Sequence, residues 1–557
     1  NPLFEQEAIS GESTGRIMPV YALTAGLSQK NIRSAVRRAL GECGDILPDV
    51  LPESIVKRYE LSRARFAYEN IHFPDDAKSL ELAQKRLIFE ELFVLSAAMR
   101  QLRAKRGEKS ARCLETPDFS EFFGALAFRP TDAQCRAIEE AAQDMAQSRP
   151  MNRLVQGDVG SGKTLVAAAG CWMAWRSRCQ SAFMAPTEIL AKQHYKTLSS
   201  LLEPLGMHVG LLTGSMTQKQ KNAVCGKLQF GEIDLIIGTH ALISEGVGFA
   251  DLALVVTDEQ HRFGVDQRSM LTGKGDSPHV LVMSATPIPR TLALIIYGDL
   301  DVSVVDEMPP GRTAIETYVV GEKHRRRMYG FVEKLVREGR QAYFICPMVE
   351  EGEDPDSGLK SARKYYETID KEVFPDLRAA LVHGKMGSKE KDKAMTAFAA
   401  GEIDILVATT VVEVGVDVPN AALIVIENAD RFGLSQLHQL RGRVGRGEHQ
   451  SYCILFRSAT GDVSRERLQI MRSTNDGFKI AEEDLKLRGP GDFFGSRQHG
   501  LPDLRIANLA ADMVLLGHAQ SAAANTLRDD PDLALPENRM LKEQIARLFE
   551  LNEDKMN

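Results

Sequence analysis

The sequence lacks the features of a membrane protein, a disulfide scaffold or a zinc protein. Among its 557 residues no apolar run approaches the roughly 18 residues that a membrane span needs, so we expect no membrane partner. Its eight cysteines are scattered and none lies in a C-x-x-C pair, which argues against a zinc site and against a disulfide framework. We therefore expect reduced thiols in the core of a cytosolic protein.

The sequence also lacks an excess of positive charge, and its aromatic side chains are few. The net charge is −7 and the aromatic content is 6%, so neither a global attraction to nucleic acid nor a base-stacking platform is indicated. Any contact with nucleic acid must use a local positive track. The chain begins with Asn and no charged-then-apolar leader follows, which predicts a fragment or a processed product.

The organisation of the chain predicts an α/β protein. The length fits roughly three or four domains. In its middle, short β-branched runs such as "LALVVTDE" (252–259) and "ALIVIEN" (422–428) alternate with helical stretches, the pattern of parallel sheets with crossover helices. We predict two tandem parallel-sheet lobes, with a cleft between them, flanked by helical regions. The four predicted regions are a helical connector (1–115), a first lobe (116–308), a second lobe (309–457) and a C-terminal helical region with a Gly-rich interruption (458–557).

A nucleotide site is predicted in the first lobe by "GDVGSGKT" (157–164), which follows a short apolar run and precedes a helical stretch. Glycines allow successive backbone N–H groups to face phosphates at a helix N-terminus. Lys163 is expected to reach the β- and γ-phosphates, and Thr164 to ligate Mg²⁺. The residues assigned to this loop are Gly157, Gly160, Gly162, Lys163 and Thr164.

An acidic pair completes the predicted site. Asp258 and Glu259 follow the strand in "LALVVTDEQH", at the carboxyl end where open α/β sheets bind ligands. Asp258 is expected to hold Mg²⁺, and Glu259 to orient and deprotonate the attacking water. Alone, such a pair is more often a solvated turn, but the upstream phosphate-binding loop favours the catalytic interpretation.

Further motifs resemble superfamily 2 helicases and translocases. They are "DEQH" (258–261), "MSATPIPR" (283–290) and "QLRGRVGRG" (439–447). "APTEILAKQH" (185–194) and "LRGPGDFFGSRQHG" (487–500) extend the resemblance to the bacterial RecG family of branched-DNA translocases, over nearly the whole chain. The resemblance implies two RecA-like lobes and an ATP- and Mg²⁺-dependent motor acting on branched double-stranded DNA.

The resemblance also implies roles for individual residues of the nucleotide site. Gln134 would recognise adenine, and Asp417 would also contact the nucleotide. Gln260 and His261 would lie between the lobes near the γ-phosphate, and Ser284 and Thr286 would couple hydrolysis to lobe movement. Of the three arginines in "QLRGRVGRG", Arg443 and Arg446 would stabilise the γ-phosphate as it leaves. Arg441 matches a variable position and is left as either structural or facing DNA.

A motor must also hold its track, and phosphate contacts suit this because they carry no sequence information. Polar residues at or just after predicted strand ends form the expected DNA rim, although each threonine alone is more often a helix cap. For the Gly-rich C-terminal loop, the resemblance implies that Arg488 and Gln498 contact duplex DNA. The predicted rim residues are Thr187, Lys192, Thr213, Thr239, His240, His383, Lys385, Thr409 and Thr410.

Several alternatives stay open. RecG-family proteins carry an N-terminal wedge of OB-fold type, but no five-strand alternating stretch precedes residue 115, so the wedge is either truncated or absent. A translocase of the transcription-coupling type, an RNA helicase, and a P-loop kinase or transport ATPase without a nucleic-acid partner are the competing functions. The resemblance further implies a monomer in the bacterial cytoplasm at the nucleoid, with single-strand-binding protein as a further partner.

Overall fold

The computed structural model describes two compact units, one helical and one built on two sheets. The helical unit comprises described residues within 1–106 and 488–557, and the two-sheet unit comprises described residues within 107–290 and 300–487. None of the described helices combines the length and the apolar character needed to cross a membrane. The described residues are 17–24, 26–43, 46–106, 110–258, 270–285, 300–309, 313–347, 362–384, 386–409, 418–458, 462–488, 504–509 and 511–556.

The first lobe is a seven-stranded parallel sheet in the order β3-β4-β2-β5-β6-β1-β7. Its central strands are buried along almost their whole length because helices cover both faces, as in other parallel sheets. The strands are β1 (Asn152–Gly157), β2 (Gln180–Met184), β3 (Val209–Leu212), β4 (Leu235–Gly238), β5 (Leu252–Asp258), β6 (His279–Ser284) and β7 (Asp301–Val305). The helices are α5 (Ser120–Gly124), α6 (Asp132–Met145), α7 (Lys163–Arg176), α8 (Glu188–Leu202) and α9 (Gln218–Gln229).

The second lobe is a six-stranded parallel sheet in the order β10-β11-β9-β12-β13-β8. The strands are β8 (Glu316–Val320), β9 (Gln341–Ile345), β10 (Ala379–Val382), β11 (Ile405–Ala408), β12 (Ala421–Ile426) and β13 (Tyr452–Phe456). The helices are α10 (Arg325–Arg337), α11 (Ala362–Thr368), α12 (Ser388–Ala399), α13 (Leu434–Arg441), α14 (Asp462–Ser473) and α15 (Gly477–Arg488). The predicted fold class, two tandem RecA-like parallel-sheet lobes with flanking helices, is therefore confirmed.

The core of the first lobe positions the nucleotide site through α7. This helix is apolar on nearly every face and is buried over most of its length, with Trp172 fully enclosed. Gly170 lies so close to β5 that an added Cβ atom would be 3.3 Å from Leu254 Cδ2. Small residues therefore allow α7 to pack directly on the sheet, and this fixes its N-terminus at the end of β1.

The helical unit is organised around a long helix. Its helices are α1 (Gln29–Cys43), α2 (Glu53–Arg58), α3 (Ala64–His72), α4 (Ala77–Arg106), α16 (Met513–Asp529) and α17 (Arg539–Met556). Helix α4 packs against α3, α16 and α17. Helix α16 buries Leu516, Ala519 and Ala523, the three- and four-residue spacing of an amphipathic helix. The Glu91 carboxylate of α4 accepts the backbone N–H groups of Arg505, Ile506 and Ala507 at 2.6–3.1 Å, and so anchors this segment.

Candidate nucleotide-binding site and nucleic-acid rim

The phosphate-binding loop connects β1 to α7 and is curled around its own lysine. Gly160 and Gly162 adopt left-handed φ angles of 78° and 82°. The buried Lys163 Nζ donates hydrogen bonds to the carbonyl oxygens of Gly157 and Asp158, both at 2.8 Å. These acceptors are neutral, and a phosphate oxygen forms a stronger, charge-assisted bond. An incoming phosphate can therefore replace the two carbonyls as partner of the ammonium group.

Several features of the loop fit a bound nucleotide and its magnesium ion. The Ser161 Oγ atom is buried and has no hydrogen-bond partner within the described part of the chain, which leaves it able to bond a ligand. A Cβ atom at Gly162 would lie only 2.2 Å from Gln134 Nε2, so a side chain there would obstruct the loop. Thr164 and Asp258 supply a hydroxyl and a carboxylate, the hard oxygen ligands that Mg²⁺ prefers.

Gln134 lies behind the loop rather than on the open surface. It is fully buried and forms a capping box with Thr131 at the start of α6. Its Oε1 accepts the Thr131 N–H at 3.0 Å, and its Nε2 donates to the Ser161 carbonyl oxygen at 2.8 Å. The side chain therefore ties the first helix of the lobe to the phosphate-binding loop.

The carboxylate at the end of β5 is hydrogen-bonded to a histidine. His194 Nε2 and Asp258 Oδ2 are 2.8 Å apart, and both side chains are largely buried. Ser284 lies buried at the end of β6, the neighbouring strand. The predicted residues Glu259, Gln260, His261, Thr286 and Asp417 lie outside the described residues.

The two lobes meet at the phosphate-binding loop. His438 in α13 of the second lobe is hydrogen-bonded through Nε2 to Asp158 Oδ1. Asp158 also accepts the Val159 N–H at 2.6 Å and the Gly477 N–H at 3.1 Å. Burial alone would raise the pKa of Asp158, but the bonds from His438 and from the two backbone N–H groups outweigh it and lower that pKa. The carboxylate is therefore held ionised at this contact.

The arginine segment of the second lobe packs directly on the same loop. A Cβ atom at Gly442 would lie 2.8 Å from Val159 Cβ, so only glycine allows this approach. Arg443 is buried and Arg446 is half-buried, with Arg446 Nε donating to the Gly442 carbonyl oxygen at 3.0 Å. The predicted γ-phosphate residues therefore lie on a segment that contacts the phosphate-binding loop.

Arg441 has a structural position. It is almost fully buried, and burial lowers its pKa. Its Nη1 donates to the carbonyl oxygens of Met471 and Thr474 at 2.8 and 3.0 Å, and its Nη2 donates to His438 Nδ1 at 3.0 Å. Of the two possibilities left open by the sequence, the structural one therefore fits the geometry. Arg441 joins α13 to the last turn of α14 and to Thr474, which follows that helix.

A cavity of about 380 Å³ lies between the lobes beside this contact. Asp158 and Ser161 line it from the first lobe, and His438, Arg441 and Gly442 line it from the second. Its remaining lining includes the acidic residues Asp306, Glu307 and Asp476 and does not include Lys163, Thr164 or Asp258. Because acidic side chains repel phosphate, the cavity adjoins the phosphate site rather than forming it.

Most of the described rim residues lie at or just after strand ends of both lobes, as the sequence predicts, but Lys192 lies within α8, eight residues after β2 ends. Their exposure differs. Thr213, Thr239 and Thr409 are buried, and Thr239 Oγ1 and Thr409 Oγ1 find no hydrogen-bond partner among the described residues. Thr187 caps α8 by accepting the Leu190 N–H at 3.3 Å. Lys192 and His240 are exposed, and His383 is half-buried. Lys385, Thr410 and Gln498 lie outside the described residues, as does the side chain of Arg488 at the end of α15.

The same pair of loop hydrogen bonds, here called the methionine–lysine device, occurs at the rim of both lobes. In each lobe, the loop after an edge strand is closed by a methionine sulfur, which accepts a backbone N–H, and by a lysine, which donates to a glycine carbonyl. The bonds are Thr213 N to Met216 Sδ (3.4 Å) and Lys221 Nζ to Gly214 O (2.8 Å) in the first lobe, and His383 N to Met386 Sδ (3.4 Å) and Lys391 Nζ to Gly384 O (2.7 Å) in the second. Thr213 and His383 are thus equivalent positions.

Three residues of the site escaped sequence reasoning: Asp158, His194 and His438. Asp158 occupies a variable position of the phosphate-binding motif, and His194 ends "APTEILAKQH". The pairing of Asp158 with His438 joins positions 280 residues apart, so no local pattern signals it.

Comparison with protein families matches most of the two-sheet unit and the C-terminal helices. Residues 131–295 match the DEAD/DEAH box helicase family, and residues 327–448 match the helicase conserved C-terminal domain. Residues 474–556 match the C-terminal part of domain 3 of the ATP-dependent DNA helicase RecG.

Comparison with individual proteins gives the same family. The chain is 47% identical over 529 residues to the ATP-dependent DNA helicase RecG of Synechocystis sp., covering 94% of this chain and 63% of that protein. It is 45% identical to that of Bacillus subtilis, covering 97% of this chain and 79% of that one. A solved structure of RecG bound to a three-way DNA junction aligns with a TM-score of 0.72 at 45% identity, covering 91% of this chain and 67% of that one. The chain thus spans part of the length of these relatives.

Proposed function

The chain belongs to the RecG family of ATP-dependent DNA helicases, and from this membership we propose that it uses ATP hydrolysis to move on double-stranded DNA and to remodel branched DNA. Stalled replication forks and Holliday junctions are the substrates proposed. The observation that carries the proposal is the contact of the arginine segment with the phosphate-binding loop, through Gly442 on Val159 and His438 on Asp158. A motor needs such a contact, because its second lobe must respond to the nucleotide in the first.

The proposed chemistry divides the work between the lobes. Lys163 binds the β- and γ-phosphates, Thr164 and Asp258 hold the magnesium ion, and Glu259 orients and deprotonates the attacking water. When bound, the ion would supply positive charge that favours phosphoryl transfer. Arg443 and Arg446 supply further positive charge from the second lobe. The remaining proposed nucleotide contacts are Gln134, Gly157, Gly160, Gly162, Gln260, His261 and Asp417.

Loss of the γ-phosphate would remove the attraction that keeps the arginine segment on the loop. The two lobes would then separate and close again with the next nucleotide. The rim threonines, histidines and lysines of the two lobes would bind the sugar-phosphate backbone in turn, first in one lobe and then in the other. Arg488 and Gln498 would transmit the stroke to duplex DNA. The repeated methionine–lysine device supports this scheme, because it gives both lobes equivalent rim loops.

The DNA structure that is bound, the additional protein partner, the oligomeric state and the cellular location are also proposals. The bacterial relatives support a place in the bacterial cytoplasm at the nucleoid. Family membership supports single-strand-binding protein as an additional partner and a monomer as the acting species. Branched DNA is supported by the relative whose structure contains a three-way junction.

The proposal is tested by measuring ATP turnover with no polymer, single-stranded DNA, linear duplex, a three-way or four-way junction, and RNA. Junction DNA should stimulate turnover most. Stimulation by no DNA would contradict the proposal and favour a P-loop ATPase without a nucleic-acid partner, whereas preference for RNA or for linear duplex would favour the RNA-helicase or coupling-type alternative. Lys163→Ala should abolish turnover while junction binding, measured by fluorescence anisotropy, is retained.

A further inference from the structure

His194 is fixed on both sides between two strands of the first lobe. Its Nε2 lies 2.8 Å from Asp258 Oδ2 at the end of β5. An ionised carboxylate can only accept, so Nε2 carries the hydrogen and donates it. On its other side the imidazole packs on Phe183 of β2, with ring centroids 4.6 Å apart. The side chain thus sets the orientation of the carboxylate that is proposed to hold magnesium.

The helix that carries His194 begins at the proposed DNA rim. Thr187, a rim residue, is the N-cap of α8. In the first turn, the Glu188 Oε1 atom accepts the backbone N–H of Ser215 at 2.8 Å, in the loop that also contains Thr213. His194 follows Thr187 by two helical turns, a distance of about 10 Å along the axis. One rigid element therefore connects two rim segments to Asp258.

We propose that His194 is a positioning residue: it orients the Asp258 carboxylate for magnesium and couples it, through α8, to occupancy of the DNA rim. This inference rests on the proposed function. Mutation of a group that holds a metal ligand in place commonly costs about 10- to 100-fold in metal affinity or activity. A displacement of α8 by DNA would move the donor N–H relative to Asp258, so that DNA binding alters the metal site.

Three replacements separate positioning from packing. Glutamine places an amide N–H at nearly the distance of the imidazole Nε2–H, whereas asparagine is too short and alanine has no donor. The matched control is His208→Gln, which alters another His–Asp pair of the same lobe. His208 Nδ1 lies 3.3 Å from Asp234 Oδ2, just before β3 and β4, away from the strand ends that form the site.

Two measurements are made on each variant, after thermal unfolding has shown that the variant folds. The first is the affinity for a fluorescent ATP analogue in Mg²⁺ and in EDTA. The second is ATP turnover with and without a three-way junction. In His194→Ala and His194→Asn, the factor by which Mg²⁺ raises the affinity for the ATP analogue should be about tenfold smaller than in the wild type. Most of the stimulation of turnover by DNA should also be lost. His194→Gln should recover most of both, and His208→Gln should match the wild type.

Two outcomes would overturn the proposal. One is an unchanged Mg²⁺-dependent gain in His194→Asn; the other is an equal loss in His194→Gln and His194→Asn, which would assign the residue to packing. If His194→Ala does not fold, the comparison of glutamine with asparagine still decides. Failure of the proposed function is recognised separately, because wild-type turnover would then not respond to DNA while the Mg²⁺ measurement would still test His194.

Discussion

His438 and Asp158 form a hydrogen bond whose direction is fixed by a third residue. Arg441 Nη2 donates to the lone pair of His438 Nδ1. The imidazole hydrogen is therefore on Nε2, directed at Asp158. Asp158 also accepts the N–H of Gly477, the first residue of α15. A single carboxylate of the phosphate-binding loop therefore joins the second lobe and the helix that leads to the Gly-rich C-terminal segment.

Replacement of the Asp158 carboxylate should weaken the contact between the two lobes. Asp158→Asn removes the charge and directs an amide N–H at one of two donors, His438 Nε2–H or the backbone N–H of Gly477. We expect the lobes to separate more readily in the nucleotide-free protein, seen as a broader distance distribution between fluorophores on the two lobes. Asp306→Asn is the control, because Asp306 lines the same cavity and has an exposed side chain. An unchanged distribution in Asp158→Asn would exclude the bond as a lobe contact.

Two arginines of one segment should respond differently to replacement. Arg446→Ala should lower ATP turnover by about a thousandfold or more while ATP still binds, because the charge acts on the leaving γ-phosphate. Arg441→Met should instead destabilise the fold, since each buried carbonyl left without its donor costs about 1–3 kcal/mol. Turnover and urea unfolding, measured on both variants, distinguish the two roles. Turnover that survives in Arg446→Ala would assign the segment to DNA.

Arg86 should be a large contributor to the stability of the helical unit. Its fully buried guanidinium bonds Asp49 and Glu90, both at 2.5 Å. Burial raises the pKa of Glu90 despite the nearby arginine, so that carboxyl is poorly solvated. Arg86→Met leaves the Glu90 carboxylate without its charged partner and should lower the free energy of unfolding by about 3–5 kcal/mol.

The matched control for this variant is an exposed pair on another helix of the same unit. Arg38 and Glu42 are 2.7 Å apart, with side chains 79% and 62% exposed. Because water screens such pairs, Arg38→Ala should leave the unfolding transition in urea unchanged. An equal loss in the two variants would show that burial is not the cause.

His279 should give the two-sheet unit a pH-dependent stability. It is buried, its Nδ1 accepts the Met151 N–H at 3.0 Å, and its Nε2 donates to the Arg112 carbonyl oxygen at 2.9 Å. Burial lowers its pKa, more than the Arg112 carbonyl and Asp144 raise it. The unfolded chain therefore binds the proton more readily, and stability falls as the pH drops below about 6.5 toward the folded-state value.

The measurement is the melting temperature of the protein between pH 7.5 and about 5. Replacement of His279 by glutamine should make the melting temperature depend less steeply on pH, even if the variant is less stable at every pH. His208→Gln should keep the wild-type slope, because the His208 side chain is 77% exposed. A slope that His279→Gln leaves unchanged would mean that other groups titrate.

Much of the fold could be predicted from local pattern, and most of the contacts around the site could not. The buried central strands are short, mostly apolar runs, so β2, β5, β9 and β12 were predictable within a few residues. Strands β7 and β8 were missed because they lie at sheet edges, where alternating exposure leaves no continuous apolar run.

The contacts of the site depend on the packing of distant segments. The motif "GDVGSGKT" predicts the loop and its lysine, but the partners of Asp158 come from α13 and α15. The sequence leaves Arg441 as either structural or facing DNA, and only its packing shows that it is almost fully buried. The packing of α4 against α16 likewise joins opposite ends of the chain, which no local periodicity can predict.

The Glu91 anchor places little constraint on which amino acids occupy positions 505–507. Its carboxylate binds three main-chain N–H groups and no side chain of the segment 505–507. Every amino acid except proline supplies that N–H group. Positions 505–507 are therefore free, as far as this anchor is concerned, to change identity in evolution or design. The requirement is concentrated in a single glutamate more than 400 residues away.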